Sequence, residues 1–181
     1  MDALAAFVRF VDRVNDVIGR GIAWLNLAMI LTTFAVVVLR YGLAVGWVGL
    51  QESYVWMYGI VFMVGASYTL LHNGHVRVDI FYRPASARYK AIVDLCGVLF
   101  LLLPMIAVAT YVSVPYVLAS WAHWEGSREA GGLEGLFLLK TVLLVFCLLV
   151  ALQGLSMAAR AILVLAGHEE FLVPEDVEPL P

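Results

Sequence analysis

The sequence predicts an all-α integral membrane protein with four transmembrane helices. Four stretches of the 181-residue chain are long, apolar and almost free of charge: 21–39, 50–71, 91–118 and 136–166. A helix needs roughly 20 apolar residues to cross the hydrocarbon core of a bilayer, and inside lipid its backbone amides must bond within their own segment. Hydrophobic residues make up 63% of the chain and charged residues 14%, so little sequence remains for a soluble catalytic domain.

The two ends of the chain lie outside these spans. Residues 1–20 predict an amphipathic helix with apolar side chains at helical spacing on one side. Its opposite side, which faces solvent, carries the charged residues Arg9, Asp12, Arg13, Asp16 and Arg20. We expect this helix to lie flat at the membrane interface before the chain turns into the first span. The alternative is a helical extension of that span. Residues 167–181 form an acidic tail with prolines, which is predicted to be disordered.

The distribution of lysine and arginine predicts that both termini are cytoplasmic. Eight of the 11 basic residues lie before the first span, between the second and third spans, or at the end of the fourth. The other three are Arg40, Arg128 and Lys140. Because positively charged loops stay on the cytoplasmic side, we expect the loop 71–90 to be inside and the connections 40–49 and 119–135 to be outside.

The third span is expected to be kinked and tilted. It is longer than the hydrocarbon core is thick, and it contains Pro104 and Pro115, which cannot donate a backbone hydrogen bond. Ser86 precedes the span and can cap its first turn.

Two acidic residues lie at the edges of the spans, and we interpret them as partners in structural ion pairs. Glu52 opens the second span opposite Arg40, and Asp94 follows Lys90 by one helical turn in the third. A proton relay requires an acid deep in the membrane, and neither residue is deep. The four histidines lie in loops or at the tail, away from the inward positions that a haem requires. The spans therefore predict no ion or electron pathway and no bound cofactor or metal.

Small and polar residues within the spans predict close helix packing. Gly59 and Gly65 lie on a strip of small residues in the second span, where another helix can approach. Gln153 in the fourth span can hydrogen-bond between helices, an interaction of about 1 kcal/mol or less. The approaching helix is either one of the chain's own four or a helix of another protein.

The most specific segment runs from Tyr68 to Tyr82 and contains His75, Arg77 and Asp79. It offers no carboxylates or cysteines in ligand geometry beside its histidines, which disfavours a zinc site. This segment resembles the small membrane subunit, of DctQ type, of the tripartite ATP-independent periplasmic (TRAP) transporters. The resemblance extends from about residue 13 to residue 165, and the further features that support it are Arg40-Tyr41, Glu52, Ala130-Gly-Gly-Leu and Leu152-Gln-Gly-Leu.

The resemblance implies a non-enzymatic role in organic-acid uptake across the bacterial inner membrane. In this family a periplasmic binding protein captures a carboxylate, and a large membrane subunit moves it inward by a sodium-driven elevator motion. The small subunit would hold the large one as a scaffold and help to dock the binding protein, while sodium would bind the large subunit and not this chain. The loop 119–135, with Arg128 and Glu129, is the best docking candidate, or else an ordinary solvated hairpin. The implied partners are these two proteins and the lipid bilayer, and nucleic acid is not among them.

Two other classes of function remain open. A small homo-oligomeric carrier or channel would act without a large partner, and it would need a polar pathway built from several copies, for instance around Asn26, Thr33 and Gln153. A membrane redox enzyme would need a bound chromophore. The identity of the organic acid is not encoded in this chain, because selectivity would belong to the binding protein and the large subunit.

Overall fold

The structure is a computed structural model that describes residues 2–75, 82, 84–168 and 171. The described residues form helices joined by turns, with no strand among them. Four helices are long and apolar enough to cross a membrane, and they are Asp2–Gly42 (α1), Val48–Leu71 (α2), Ala87–Ala122 (α3) and Leu136–Leu165 (α4). The predicted all-α fold with four spans is therefore confirmed, and the chain is a multi-pass membrane protein.

α1 differs from the predicted flat helix followed by a separate span. It is one helix of 41 residues, so residues 2–20 of the amphipathic segment continue into the first span without a break. The apolar stripe of that segment packs against α4, where Ala5 and Val8 form a cluster with Ala159 and Leu163. Because α4 covers this stripe, the segment does not depend on lipid contact to bury it. The helical extension is therefore the form that the structure adopts.

α4 is the central helix of the bundle, since it packs against each of the other three. In its middle, Cys147 and Val150 form a buried cluster with Ile106 of α3. Further along, a Cβ atom on Gly154 would lie 2.6 Å from Leu102 Cδ2, so this glycine permits close approach of α3. The close packing of α3 against α4 therefore depends on a small residue in the fourth span.

α3 contains a π-helical turn over Val98–Leu102, between two α-helical parts that cover Ala87–Gly97 and Leu103–Ala122. Within this turn the backbone N–H of Leu103 bonds to the carbonyl of Val98, five residues back. Pro104 follows directly and has no N–H to offer, so the wider turn lies where the regular hydrogen-bond pattern is interrupted. The predicted irregularity at Pro104 is present as this turn, and the helix continues through Pro115.

The ends of α3 and α4 are defined by turn chemistry. The hydroxyl of Ser86 accepts a hydrogen bond from the backbone N–H of Tyr89 at 3.4 Å, which confirms the predicted cap of α3. Gly135 precedes α4 with φ +110°, a conformation that favours glycine. The prediction of a disordered acidic tail falls on residues that lie, for the most part, outside those described.

Two large apolar faces of the bundle are not covered by the chain itself. No residue from 21 to 42, all of them described, is buried within the protein. The outward side of α3 is also exposed, and its large apolar residues are Leu99, Phe100, Leu101, Met105, Val108, Tyr111, Val112 and Leu118. Apolar surfaces of this size require lipid or another protein as their neighbour.

Candidate functional site

Glu52 of α2 holds the connection between α3 and α4. Its Oε1 accepts a hydrogen bond from the hydroxyl of Ser127, and its Oε2 accepts one from the backbone N–H of Leu133 at 2.7 Å. The loop also closes on itself, because the backbone N–H of Ser127 donates to the carbonyl of Leu133 at 3.0 Å. We call Glu52, Ser127 and Leu133 the Glu52 clamp. One carboxylate thus joins α2 to residues 75 or more positions further along the chain.

Glycine is required beside the Glu52 clamp. A Cβ atom on Gly132 would lie 2.7 Å from Oε2 of Glu52, which is closer than side-chain atoms tolerate. On α2, a Cβ atom on Gly49 would lie 3.3 Å from the carbonyl oxygen of Gly131. Gly49 therefore allows α2 to lie close to the loop backbone, and Gly132 allows the loop to lie close to the carboxylate.

A second charged contact fixes the same loop to α4. Lys140 forms an ion pair with Glu125, and the hydroxyl of Ser120 donates to the same carboxylate at 2.8 Å. The Nζ atom of Lys140 also lies 4.1 Å from the centroid of the Tyr116 ring. The hydrogen bond from Lys140, followed by that from Ser120, lowers the pKa of Glu125 below its ordinary value. The loop is therefore held by two carboxylates, one at each side.

An aromatic cluster supports this arrangement at the ends of α3 and α4. Trp121 and Trp124 each meet the Phe137 ring edge to face, with centroids 4.6 and 5.1 Å away. The indole N–H of Trp121 donates to the hydroxyl of Thr141 at 2.9 Å. Trp124 has φ +47° and is 70% exposed, so the rigid loop presents a large aromatic side chain to its surroundings.

The predicted ion pair between Arg40 and Glu52 is wrong. Arg40 is exposed near the end of α1 and has no ion pair within the part of the chain that the structure describes. Glu52 instead takes both of its donors from the loop between α3 and α4. A hydroxyl and a backbone N–H satisfy the carboxylate without the entropy cost of ordering a long arginine side chain.

A polar cluster between α1 and α4 lies at the opposite end of the bundle. Its members are Asp12, Asn15, Gln153, Ser156 and Arg160, which we call the Asp12 cluster. Asp12 forms an ion pair with Arg160 and accepts hydrogen bonds from Ser156 at 2.8 Å and Gln153 at 3.1 Å. Gln153 in turn accepts one from the amide of Asn15 at 2.7 Å.

The Asp12 cluster gives Gln153 the interhelical role that its sequence suggested, with α1 as the partner helix. Asn15, Gln153 and Ser156 are all buried, and Oδ1 of Asn15 has no hydrogen-bond partner among the described residues. Sequence reasoning placed Asp12 on a solvent-facing side and missed the cluster. The spacing of Gln153, Ser156 and Arg160, three and four residues apart, is the signal that could have revealed a polar stripe on α4.

Residues 29–164, more than half of the chain, match the family described as tripartite ATP-independent periplasmic transporters, DctQ component. The chain belongs to the DctQ family. The match contains the Glu52 clamp and the α4 side of the Asp12 cluster, whereas Asp12 and Asn15 precede it. The resemblance to the DctQ-type subunit that the segment from Tyr68 to Tyr82 indicates is confirmed.

A curated relative agrees with this assignment. The DctQ chain is 28% identical over 117 residues to the C4-dicarboxylate TRAP transporter small permease protein DctQ of Vibrio cholerae serotype O1. The aligned part covers 65% of this chain and 46% of the relative, so the chain spans about half the length of that protein. No solved structure gives a significant match.

The remaining predicted residues of this DctQ protein are in varied surroundings. Gly59 packs against α4, since a Cβ atom there would lie 3.7 Å from Leu139 Cδ1, whereas the space beside Gly65 is open. Asp94 accepts a hydrogen bond from the Tyr82 hydroxyl at 2.7 Å, and His75 is exposed. The predictions for Arg77 and Asp79 lie outside the described residues. Arg128 and Glu129 are exposed at the tip of the loop.

A metal centre finds no support in the side chains that the structure describes. They contain no group of three histidine, cysteine, aspartate or glutamate residues arranged to hold an ion. His72, one of the two histidines in the recognised segment, uses Nδ1 on the carbonyl of Tyr68 at 3.0 Å and places its ring 4.1 Å from the Tyr68 ring. The geometry of both polar clusters is that of structural connections between helices.

Proposed function

We propose that this chain is the small, non-catalytic subunit of a sodium-coupled organic-acid transporter that depends on a binding protein. It acts as a scaffold for a large elevator subunit in the bacterial inner membrane, with both termini cytoplasmic. The observation that carries this proposal is the apolar half of α1, where no described residue from 21 to 42 is buried. In a family whose members are transporter subunits, this face is well suited to pack against a larger membrane partner.

The helix bundle has the features expected of a rigid scaffold. α1 has 41 residues and is about 60 Å long at a rise of 1.5 Å per residue. It is tied to α4 by the Asp12 cluster at one end, while the Glu52 clamp and the ion pair of Lys140 and Glu125 tie α2, α3 and α4 at the other. An elevator subunit must move relative to a part of the transporter that stays in place. A helix bundle that is cross-linked at both ends by polar contacts resists being deformed by that movement.

The loop 123–135 is the proposed docking surface for the binding protein. Its base is held by Glu52 and Glu125, while Arg128, Glu129 and Trp124 are exposed. A loop that is already ordered loses little conformational entropy when a partner binds, which favours association. Charged residues at its tip can also select the partner by complementary charge.

The substrate class is a carboxylate, and sodium is expected to bind the large subunit. The name of the relative specifies a C4-dicarboxylate for that protein, which supports a carboxylate here without identifying it. Asp12 is the charged acid nearest to the packed interior of α1 and α4, and it is committed to Arg160, Ser156 and Gln153. Such a neutralised group is unsuited to carry a proton or a sodium ion.

Reconstitution tests the proposal. Liposomes with a sodium gradient would contain this chain alone, a large subunit of the family with its binding protein, or all three, and uptake of labelled succinate would be measured. We expect uptake with all three, a large loss without this chain, and none from this chain alone. Uptake by this chain alone would support the homo-oligomeric carrier instead, and co-purification of the chain with the large subunit measures assembly independently of the substrate chosen.

A further inference from the structure

One line of exposed side chains runs along almost the whole of α1. Phe10, Val17, Trp24, Leu31 and Val38 are all exposed, and so is the residue three places after each of them. Other sides of the helix pack against α2 and α4. A repeat of this kind, with a mean spacing of about 3.5 residues, is the one by which long helices pack side by side. We call this line of residues the α1 seam.

Two aromatic residues mark the membrane-spanning part of the α1 seam. Trp24 and Tyr41 are about 25 Å apart along the helix axis at 1.5 Å per residue, and the hydrocarbon core of a bilayer is about 30 Å thick. Tryptophan and tyrosine favour the two interfaces of a bilayer, and every seam residue between these two is apolar. The α1 seam therefore leaves the hydrocarbon core at Trp24 and continues outside it to Phe10.

The part of the α1 seam outside the core still carries large apolar side chains. Phe10 and Val17 are 69% and 61% exposed, whereas a helix side that meets only water is usually polar. Phe10 lies about 21 Å from Trp24 along the axis, and about 16 Å along the bilayer normal at a tilt of 40°. The headgroup layer on each side is only about 5–8 Å thick. Since lipid does not reach Phe10, a protein is the better neighbour for this end of the seam.

The charges at this end of the α1 seam indicate what that neighbour carries. Arg13 follows Phe10 on the seam, and Arg9 lies beside it. Within the part of the chain that the structure describes, no side-chain hydrogen bond or ion pair engages Arg9 or Arg13, whereas Arg20 is paired with Asp16. Two guanidinium groups beside an exposed phenyl ring favour a partner that presents carboxylates around an apolar contact.

We propose that the contact of α1 with the large subunit continues beyond the membrane along the α1 seam as far as Phe10. The partner is a long helix of that subunit, apolar opposite the seam between Trp24 and Tyr41 and acidic where it meets Arg9 and Arg13. This inference rests on the proposed function, because it takes the large subunit as the neighbour of α1.

Photo-crosslinking separates this inference from the proposed function. Benzoylphenylalanine would replace Phe10 or Phe34 in the full chain, assembled in membranes with a large subunit of the family. We expect both positions to capture the large subunit. Its capture from position 34 alone, with lipid, another copy of this chain or nothing captured from position 10, would overturn the inference and leave the scaffold role intact. Failure at both positions would overturn the inference together with the α1 contact, while co-purification still tests the scaffold role.

Substitutions on the α1 seam test the two kinds of side chain separately. Phe10→Ala and Arg13→Glu should each lower the amount of large subunit that co-purifies with the chain severalfold. Phe100→Ala and Arg88→Glu are the matched controls, because they make the same changes at exposed positions of α3 and should alter this amount by less than twofold. Equal losses in the controls would mean a general surface effect and would overturn the inference, as would unchanged co-purification in both seam variants. Thermal unfolding of the isolated chains should give the same midpoint for all four variants, because each residue is exposed.

Discussion

At the scale of single residues, Gly132 shows how closely the loop backbone approaches α2. A Cβ atom at this position would meet Ser127 and would lie 2.7 Å from Oε2 of Glu52. We expect Gly132→Ala to break the Glu52 clamp and to destabilise the protein by about 1–3 kcal/mol, the usual cost of overpacking. Gly46→Ala is the control, because nothing lies within 4 Å of a Cβ atom there and its φ is not positive. Thermal unfolding in detergent would separate the two, and equal midpoints would contradict the proposed crowding.

Glu52 itself can be tested by its two hydrogen bonds. Glu52→Gln keeps an oxygen that can accept from the backbone N–H of Leu133, whereas Glu52→Ala removes both acceptors. We expect hydrogen exchange across residues 127–133 to accelerate severalfold in Glu52→Ala and less in Glu52→Gln. Arg40→Ala should leave this exchange unchanged, because Arg40 is not part of the clamp. Faster exchange in Arg40→Ala would mean that Arg40 does hold Glu52, and it would support the ion pair that the sequence predicts.

Glu125 gives the loop a defined response to acid. Its pKa in the folded protein lies below the ordinary value of 4.5, chiefly because of Lys140 and then Ser120. A carboxyl group with a lowered pKa stabilises the fold fully above its unfolded pKa, and this stabilisation is lost as the pH falls through the folded pKa. We expect the loop to remain closed down to pH 4.5 and to open only in more acidic solution. The fluorescence of Trp121 and Trp124 would report the opening. Glu125→Gln should remove the part of this acid transition that comes from Glu125, while the contacts of Glu52 with Ser127 and Leu133 remain.

At the scale of helices, the Asp12 cluster decides whether the first 20 residues stay on α4. Asp12 and Arg160 are partly buried, with side chains 19% and 27% exposed. Removing one partner of such a pair leaves an uncompensated charge, so we expect Asp12→Ala to cost about 1–3 kcal/mol, less than a fully buried pair would. Arg13→Ala is the control, since Arg13 is the exposed neighbour of Asp12. The protease sensitivity of the first 20 residues, measured in detergent, would report how far this segment of α1 separates from α4.

A double substitution distinguishes lost charge balance from lost packing in that cluster. Asp12→Leu with Arg160→Met replaces the ion pair by apolar side chains, and this exchange is often neutral when both charges leave together. Ser156 and Gln153 lose their acceptor whenever Asp12 is replaced, so the double variant should be more resistant to protease than Asp12→Leu alone, which also leaves Arg160 without its partner. If the effects of the two single substitutions simply add in the double variant, the attraction between Asp12 and Arg160 holds α1 to α4. The cost of leaving one charge without its partner would then not explain the loss.

The same cluster explains where sequence reasoning succeeded and where it failed on the helices. Hydropathy and length are properties of each segment alone, so all four spans could be predicted. The pairing of α1 with α4 depends on how two distant helices rotate against each other, and the charges of residues 1–20 were assigned to solvent because one amphipathic helix does not reveal its partner. The same limit applies to Glu52, since the nearest opposite charge along the chain, Arg40, is not its neighbour in space.

At the scale of the whole molecule, two apolar faces are candidates for the proposed contact with a large subunit. The outward side of α3 belongs to a helix whose other side is anchored on α4 through Ile106 and Leu102. α1 packs against α2, but no residue of its half from 21 to 42 is buried, so the side of this half that faces away from α2 is left for lipid or a partner. The α1 face is therefore the better candidate for a contact that fixes this chain to another subunit.

Photo-crosslinking in the assembled transporter tests this choice with two matched positions. Phe34 on α1 and Phe100 on α3 carry the same side chain and are 67% and 73% exposed. With benzoylphenylalanine at either position, we expect the large subunit to be captured from position 34 and mainly lipid from position 100. Capture from position 100 alone would move the interface to α3 and leave the scaffold role intact. Crosslinks from position 34 that join only copies of this chain would instead support the homo-oligomeric carrier. The exposed face of α1 would then pack against α1 of another copy.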